Sequence, residues 1–206
     1  MQPAITGRKA AQRSGALFFA VMSFLATLNL ASAQERDLVM EFAPAQTSVK
    51  FTLGDILHTV HGTFNLKSGT VHFNPASGAI SGEILVDATS GNSGGASRDN
   101  KMHKDILESA RYREITFLPD RVEGKVESQG HSTIQVHGLF GIHGATHEIT
   151  VPVQVEMAPD RWVATAHFVV PYVQWGMKNP STFVLRVNQT VDIDLHAAGA
   201  IPAGAH

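Results

Sequence analysis

Eleven histidines and eighteen acidic residues, with no cysteine, are the side chains of this 206-residue chain that could carry chemistry. The chemistry would be metal ligation or acid–base catalysis. His58 and His61 lie three apart and His143 and His147 four apart, but neither pair sits in a helical H-E-x-x-H arrangement. The residues around them alternate as strands do, and an odd spacing on a strand turns two rings to opposite faces. A tetrahedral site needs three or four convergent ligands, so these histidines read as surface and turn residues. The letters Gly91-Asn92-Ser93-Gly94-Gly95 spell G-x-S-x-G but fall inside a loose Ser-Gly run, and no local serine set stands beside a histidine and a carboxylate. The run Ser90-Gly91-Asn92-Ser93-Gly94-Gly95 lacks both the Lys-Ser/Thr of a phosphate loop and a G-x-G-x-x-G pattern, and reads as a loop. Nothing singles out two of the eighteen acids for glycoside cleavage. The sequence therefore assigns no catalytic residue, no metal site and no cofactor.

The elements around these residues are strands. Apolar side chains recur at every second position in Val49, Phe51, Leu53, in Val60, Gly62, Phe64, and in Ile149, Val151, Val153, Val155. Turn signals separate such runs at Lys67-Ser68-Gly69, Asn74-Pro75-Ala76-Ser77-Gly78, Glu123-Gly124, Ala158-Pro159-Asp160 and Asn179-Pro180-Ser181. Many short strands joined by hairpins predict an all-β sandwich or an up-and-down barrel. One segment departs from this. Met102, Ile106, Leu107 and Ala110 recur at helical spacing behind Asp99, which predicts a single short helix over 100–109, with Asp99 as its cap, covering a barrel end. Large apolar residues share the strand face: Phe51, Phe64, Phe73, Phe117, Phe140, Phe168 and Phe183. Such side chains either fill a small barrel or line a cavity in a slightly wider one.

The ends bound location. Arg8, Lys9 and Arg13 precede an apolar run from Ala16 to Leu30, which closes on Ala31-Ser32-Ala33. This is the pattern of a secretory signal peptide over residues 1–33, cleaved after Ala33. The run falls short of the ~20 residues a spanning helix needs. The remaining chain carries 13 Lys plus Arg against 18 Asp plus Glu, net −5, and that balance disfavours nucleic acid as a partner. With no disulfide to stabilise it, the domain must bury a proper core. Residues 34–196 are expected to form it and 197–206 a flexible tail, in a periplasmic or secreted protein that does not span the membrane.

Five motifs follow one another along the chain: Val60-His61-Gly62-Thr63-Phe64; Ser68-Gly69-Thr70-Val71-His72-Phe73-Asn74-Pro75; Arg98-Asp99 leading to Met102-His103-Lys104; Leu107 to Tyr112 followed by Glu114-Ile115-Thr116-Phe117; and Gly138-Leu139-Phe140-Gly141-Ile142-His143-Gly144-Ala145-Thr146-His147. In order and spacing they resemble the YceI-like domain family of exported bacterial proteins, over roughly Val39 to Leu195. Arg113 stands where that family commonly has proline, and Asn74 where it has aspartate. The resemblance implies a lipocalin-like antiparallel barrel of about eight strands that binds an apolar lipid: a polyisoprenoid, a quinone or another long fatty chain. Strand parity then places Phe51, Val60, Phe64, Val71, Phe73, Ile84, Val86, Phe117, Phe140 and Phe168 on the cavity wall. Arg98, His103 and Lys104, beside the helix, are candidates to meet a polar head by charge-assisted bonds. The competing expectation is a solidly packed barrel that acts through its surface in the cell envelope, without ligand. Oligomeric state is left open, because a closed barrel has no free sheet edge.

Overall fold

Alternating apolar residues bury one face of each strand, and the sheet they form closes on itself. The computed structural model describes residues 37–54, 58–183 and 186–201. The expected signal segment, residues 1–33, and the last five residues of the expected tail lie outside these. Among the described residues the strands are β1 (Leu38–Phe42), β2 (Ser48–Gly54), β3 (Thr59–Phe73), β4 (Ile80–Asn92), β5 (Glu114–Glu123), β6 (Gly130–Ile142), β7 (Ala145–Met157), β8 (Arg161–Val170) and β9 (Val191–Ala200). Every pairing between them is antiparallel.

β1 and β2 share one strand position. β2 runs between β9 and the first half of β3, with Val49 opposite Phe64 and Gly54 opposite Thr59. β1 continues the same line between the end of β3, where Leu38 faces Phe73, and the end of β9. The short turn Pro44–Gln46 steps the chain out between them. With β3 also paired to β4, the sheet is a closed eight-position antiparallel barrel, the lipocalin-like fold expected from the sequence.

Five local expectations are corrected. Lys67-Ser68-Gly69 is not a turn: it lies inside the fifteen-residue β3, where the register against β4 shifts between Leu66 and Ser68. A bulge uses the same small and polar residues as a turn but bends the strand without reversing it. The helix begins earlier than expected, as α1 (Ala96–Lys101), and widens into a π-type turn at Met102–Ile106, closed by the Leu107 N–H bonding the Met102 carbonyl at 2.8 Å. Asp99 does not cap it; Gly95 occupies that position and the Asp99 carboxylate turns back to Ser93. The tail does not begin at 197. β9 runs to Ala200, Ala197 is fully buried, and Ile201 packs in the core, because small side chains fit beneath the large ones of β8. Phe183 is on no strand face; it stands in the loop before β9, fully exposed at 103%.

Candidate ligand cavity

Cross-strand register decides where the large inner side chains go. Gly62 of β3 lies opposite Phe51 of β2, and a Cβ added there would come within 2.2 Å of the Phe51 ring. The ring therefore lies over the glycine, along the wall. Gly138 of β6, the diagonal neighbour of Phe117 of β5, makes room for that ring too, which a Cβ would meet at 2.9 Å. A wall whose rings are laid over glycines leaves its axis free, and here the axis holds a cavity of about 410 Å³. That lies within the roughly 300–1,000 Å³ of small-molecule sites.

All ten wall positions read from strand parity face this cavity: Phe51, Val60, Phe64, Val71, Phe73, Ile84, Val86, Phe117, Phe140 and Phe168. The sequence reading missed part of the wall. Trp162, Ala164, Ala166 and Val170 share parity with Phe168 on β8 and also line it; their alternation with Arg161, Val163, Thr165 and His167 carried that information.

The two ends differ. At one, Trp162, 1% exposed, meets Phe42 edge to face at 4.6 Å and packs with Met157 and Ile134. At the other, eight residues along β8 and roughly 26 Å of extended strand away, Val170 packs with Leu107, Tyr172 and Met177. Met102, Ile106, Leu107, Met177, Pro180 and Val187 border the cavity here, together with the exposed Arg98 and Lys101, so this end opens to solvent. The Tyr172 hydroxyl donates to the Asn188 carbonyl at 2.7 Å, and burial pushes its pKa up to about 12, which keeps it a neutral donor. His147 stacks on Trp175 at 4.1 Å and pins the segment before Met177 against the barrel.

Of the three basic residues proposed for a polar head, the structure puts one at the cavity. Arg98 borders it, its guanidinium donating to the Ser93 carbonyl at 2.9 Å. His103 is a fastener between helix and barrel: Nε2–H donates to the Gly91 carbonyl at 2.8 Å, and Nδ1 faces the Ser109 hydroxyl at 2.9 Å. Lys104 is exposed and does not border the cavity. Lys101 does, one helical turn after Arg98, a spacing that could have identified it. Among the described residues, Arg98 and Lys101 are the only charged side chains on a wall that is otherwise almost wholly apolar. Among the described residues no group of three or more His, Asp or Glu side chains gathers as metal ligands would.

The helix is tied to its loop by Asp99, whose carboxylate accepts the Ser93 hydroxyl at 2.6 Å and the Ser93 N–H at 2.7 Å. These bonds, the hydroxyl's foremost, hold Asp99 below the usual carboxylate range. A lowered native pKa stabilises the fold wherever the unfolded aspartate is already ionised, above about pH 5, and the contribution disappears as pH falls through the lowered value. Hydrogen exchange at the Ser93 amide should therefore lose protection in acid. Asp99→Asn should show the same loss already at pH 7; wild-type protection in that variant would mean that the carboxylate is not the anchor.

The sequence model of the YceI-like domain matches residues 40–198 of this chain. A UPF0312 protein of Vibrio parahaemolyticus is 28% identical over 171 residues, covering 81% of this chain and 88% of that protein. Among solved structures, a polyisoprenoid binding domain from Saccharophagus degradans implicated in plant cell wall breakdown superposes with a TM-score of 0.65 at 15% identity, over 80% of this chain and 99% of that one. Burkholderia cenocepacia BcnA superposes with a TM-score of 0.63 at 18% identity, over 77% and 99%.

Proposed function

The chain belongs to the YceI-like domain family, and from that premise we propose that it is an exported carrier holding a long apolar lipid, a polyisoprenoid or a similar chain, inside its barrel. The observation that carries this reading is the cavity of about 410 Å³, which runs between the two ends of the barrel behind an apolar wall. Transfer of apolar surface out of water yields about 25 cal/mol per Å². A prenyl chain would therefore be retained with few polar contacts, and a carrier needs no catalytic group. The signal-like segment at residues 1–33 supports export, and the name of the Saccharophagus degradans neighbour supports the ligand class. The packed-barrel alternative requires the inner aromatics to fill the axis; Phe140 and Phe168 meet edge to face at 6.1 Å, but Phe51 and Phe117 lie over Gly62 and Gly138, and the cavity remains beside them.

Native mass spectrometry of protein purified from a bacterial periplasm is expected to show one added mass of several hundred daltons that extracts into organic solvent as a prenyl or acyl compound. A clean apo mass, with no uptake of added prenyl lipid, would reject the carrier.

A further inference from the structure

The rim of the open end differs in character from the rest of the molecule. Residues 34–206 carry a net charge of −5, yet the segment from Met177 to Val187 contains Lys178 and Arg186 and no acidic residue. Met177, Pro180 and Val187 border the cavity, while Lys178, Phe183 and Arg186, interspersed among them, are exposed. Lys101 comes to the same rim from the helix, its Nζ donating to the Pro180 carbonyl at 3.1 Å. Of the acids between residues 99 and 108, Asp99 and Glu108 are engaged by Ser93 and His143, while Asp105 stands half-buried in the Met102–Ile106 turn. Among the described residues the other exposed large apolar side chains, Leu118 at 38% and Val169 at 49%, are part-covered members of β5 and β8, whereas Phe183 stands wholly in water at 103%.

We propose that this rim docks the barrel mouth on an anionic phospholipid bilayer, with Phe183 entering the interface and Lys101, Lys178 and Arg186 facing the head groups. An aromatic ring among cations is the combination that interfacial segments use: the ring finds an apolar layer just below the head groups, and each cation near an anionic surface adds electrostatic attraction. Charge complementarity selects a bilayer over a second copy of this acidic chain, because two copies meeting rim to rim would bring like cations together. The geometry also suits a carrier, since a mouth seated on the membrane lets an apolar chain pass between bilayer and barrel without crossing water. This last point rests on the carrier reading; the docking surface itself does not.

The test is co-sedimentation of residues 34–206, which form one compact unit, with vesicles of mixed phosphatidylglycerol and phosphatidylcholine and with pure phosphatidylcholine vesicles. Binding should favour the anionic vesicles by about tenfold or more and weaken with added salt. Phe183→Ser and the double variant Lys178→Glu, Arg186→Glu should each lose most of it. Phe183→Ser should still take up a prenyl alcohol offered from detergent as the parent does, which shows that its barrel is intact. Equal binding to both vesicle types, or undiminished binding by a folded Phe183→Ser, would overturn the proposal. So would a dimer in sedimentation velocity that Phe183→Ser dissolves, with no vesicle binding by the parent. Vesicle binding without prenyl uptake by either protein would support the docking surface and remove the carrier reading.

Discussion

Replacing Ala166 with tryptophan is expected to abolish uptake of a prenyl lipid while leaving the barrel as stable as the parent or more so. Ala166 faces the cavity from the middle of β8, between Ala164 and Phe168 on the same face, with Leu195 of β9 and Val153 of β7 beside it. An indole there projects into free volume on the axis and makes dispersion contacts the void lacks. It also occupies the space a chain would thread. Affinity should fall at least about tenfold, which corresponds to about 1.4 kcal/mol, while the urea midpoint holds or rises. A solid barrel predicts the reverse sign in stability, because overpacking a filled core costs roughly 1–3 kcal/mol. Unfolding and lipid titration on the same variant therefore separate the two architectures.

The second large effect is at the closed end. Trp162→Ala should destabilise the fold by roughly 3–5 kcal/mol, the range for removing a large buried aromatic, read as a lower urea midpoint. Trp162 is 1% exposed, stacks edge to face on Phe42, and packs with Ile134, Met157, Ala197 and Ile201. Gly199, its cross-strand partner, has no side chain to fill the gap: a Cβ there would come within 1.7 Å of the Glu41 carbonyl oxygen. The control is Trp162→Phe. The buried indole N–H finds no acceptor among the described residues, so losing it removes a desolvation cost rather than a bond. Phenylalanine should cost about 1.5 kcal/mol or less. A loss as large as that of alanine would show that the N–H is bonded in solution.

The chain's own letters determined the strands and their inner faces. Phe51, Phe64, Phe117, Phe140 and Phe168 share a wall because side chains on a strand alternate with period two, and that period is written in the order of residues. The number of such strands left a sandwich or a barrel, and the family resemblance carried by the motif order around Val60–Phe64 and Gly138–His147 implied the barrel. Length of elements was less legible. Lys67-Ser68-Gly69 has the composition of a turn and forms a bulge, and Ala197 to Ala200 look like a tail yet form the end of β9. Small residues state only that room is available, and the neighbouring strand decides whether the chain turns, bends or pairs.

Whether the barrel is hollow was decided by tertiary structure alone. Gly62 and Phe51 are eleven positions apart and Gly138 and Phe117 twenty-one, and each ring lies over its glycine only because register makes the first pair cross-strand partners and the second diagonal neighbours. Slipped by two residues, the same strands would keep their inward faces and drive the same rings toward the axis. The mouth was settled in the same way. Arg98, Lys101 and Phe183 became a rim because helix, loop and strand ends meet at one end of the barrel, whereas alternation informs only about the two sides of a strand.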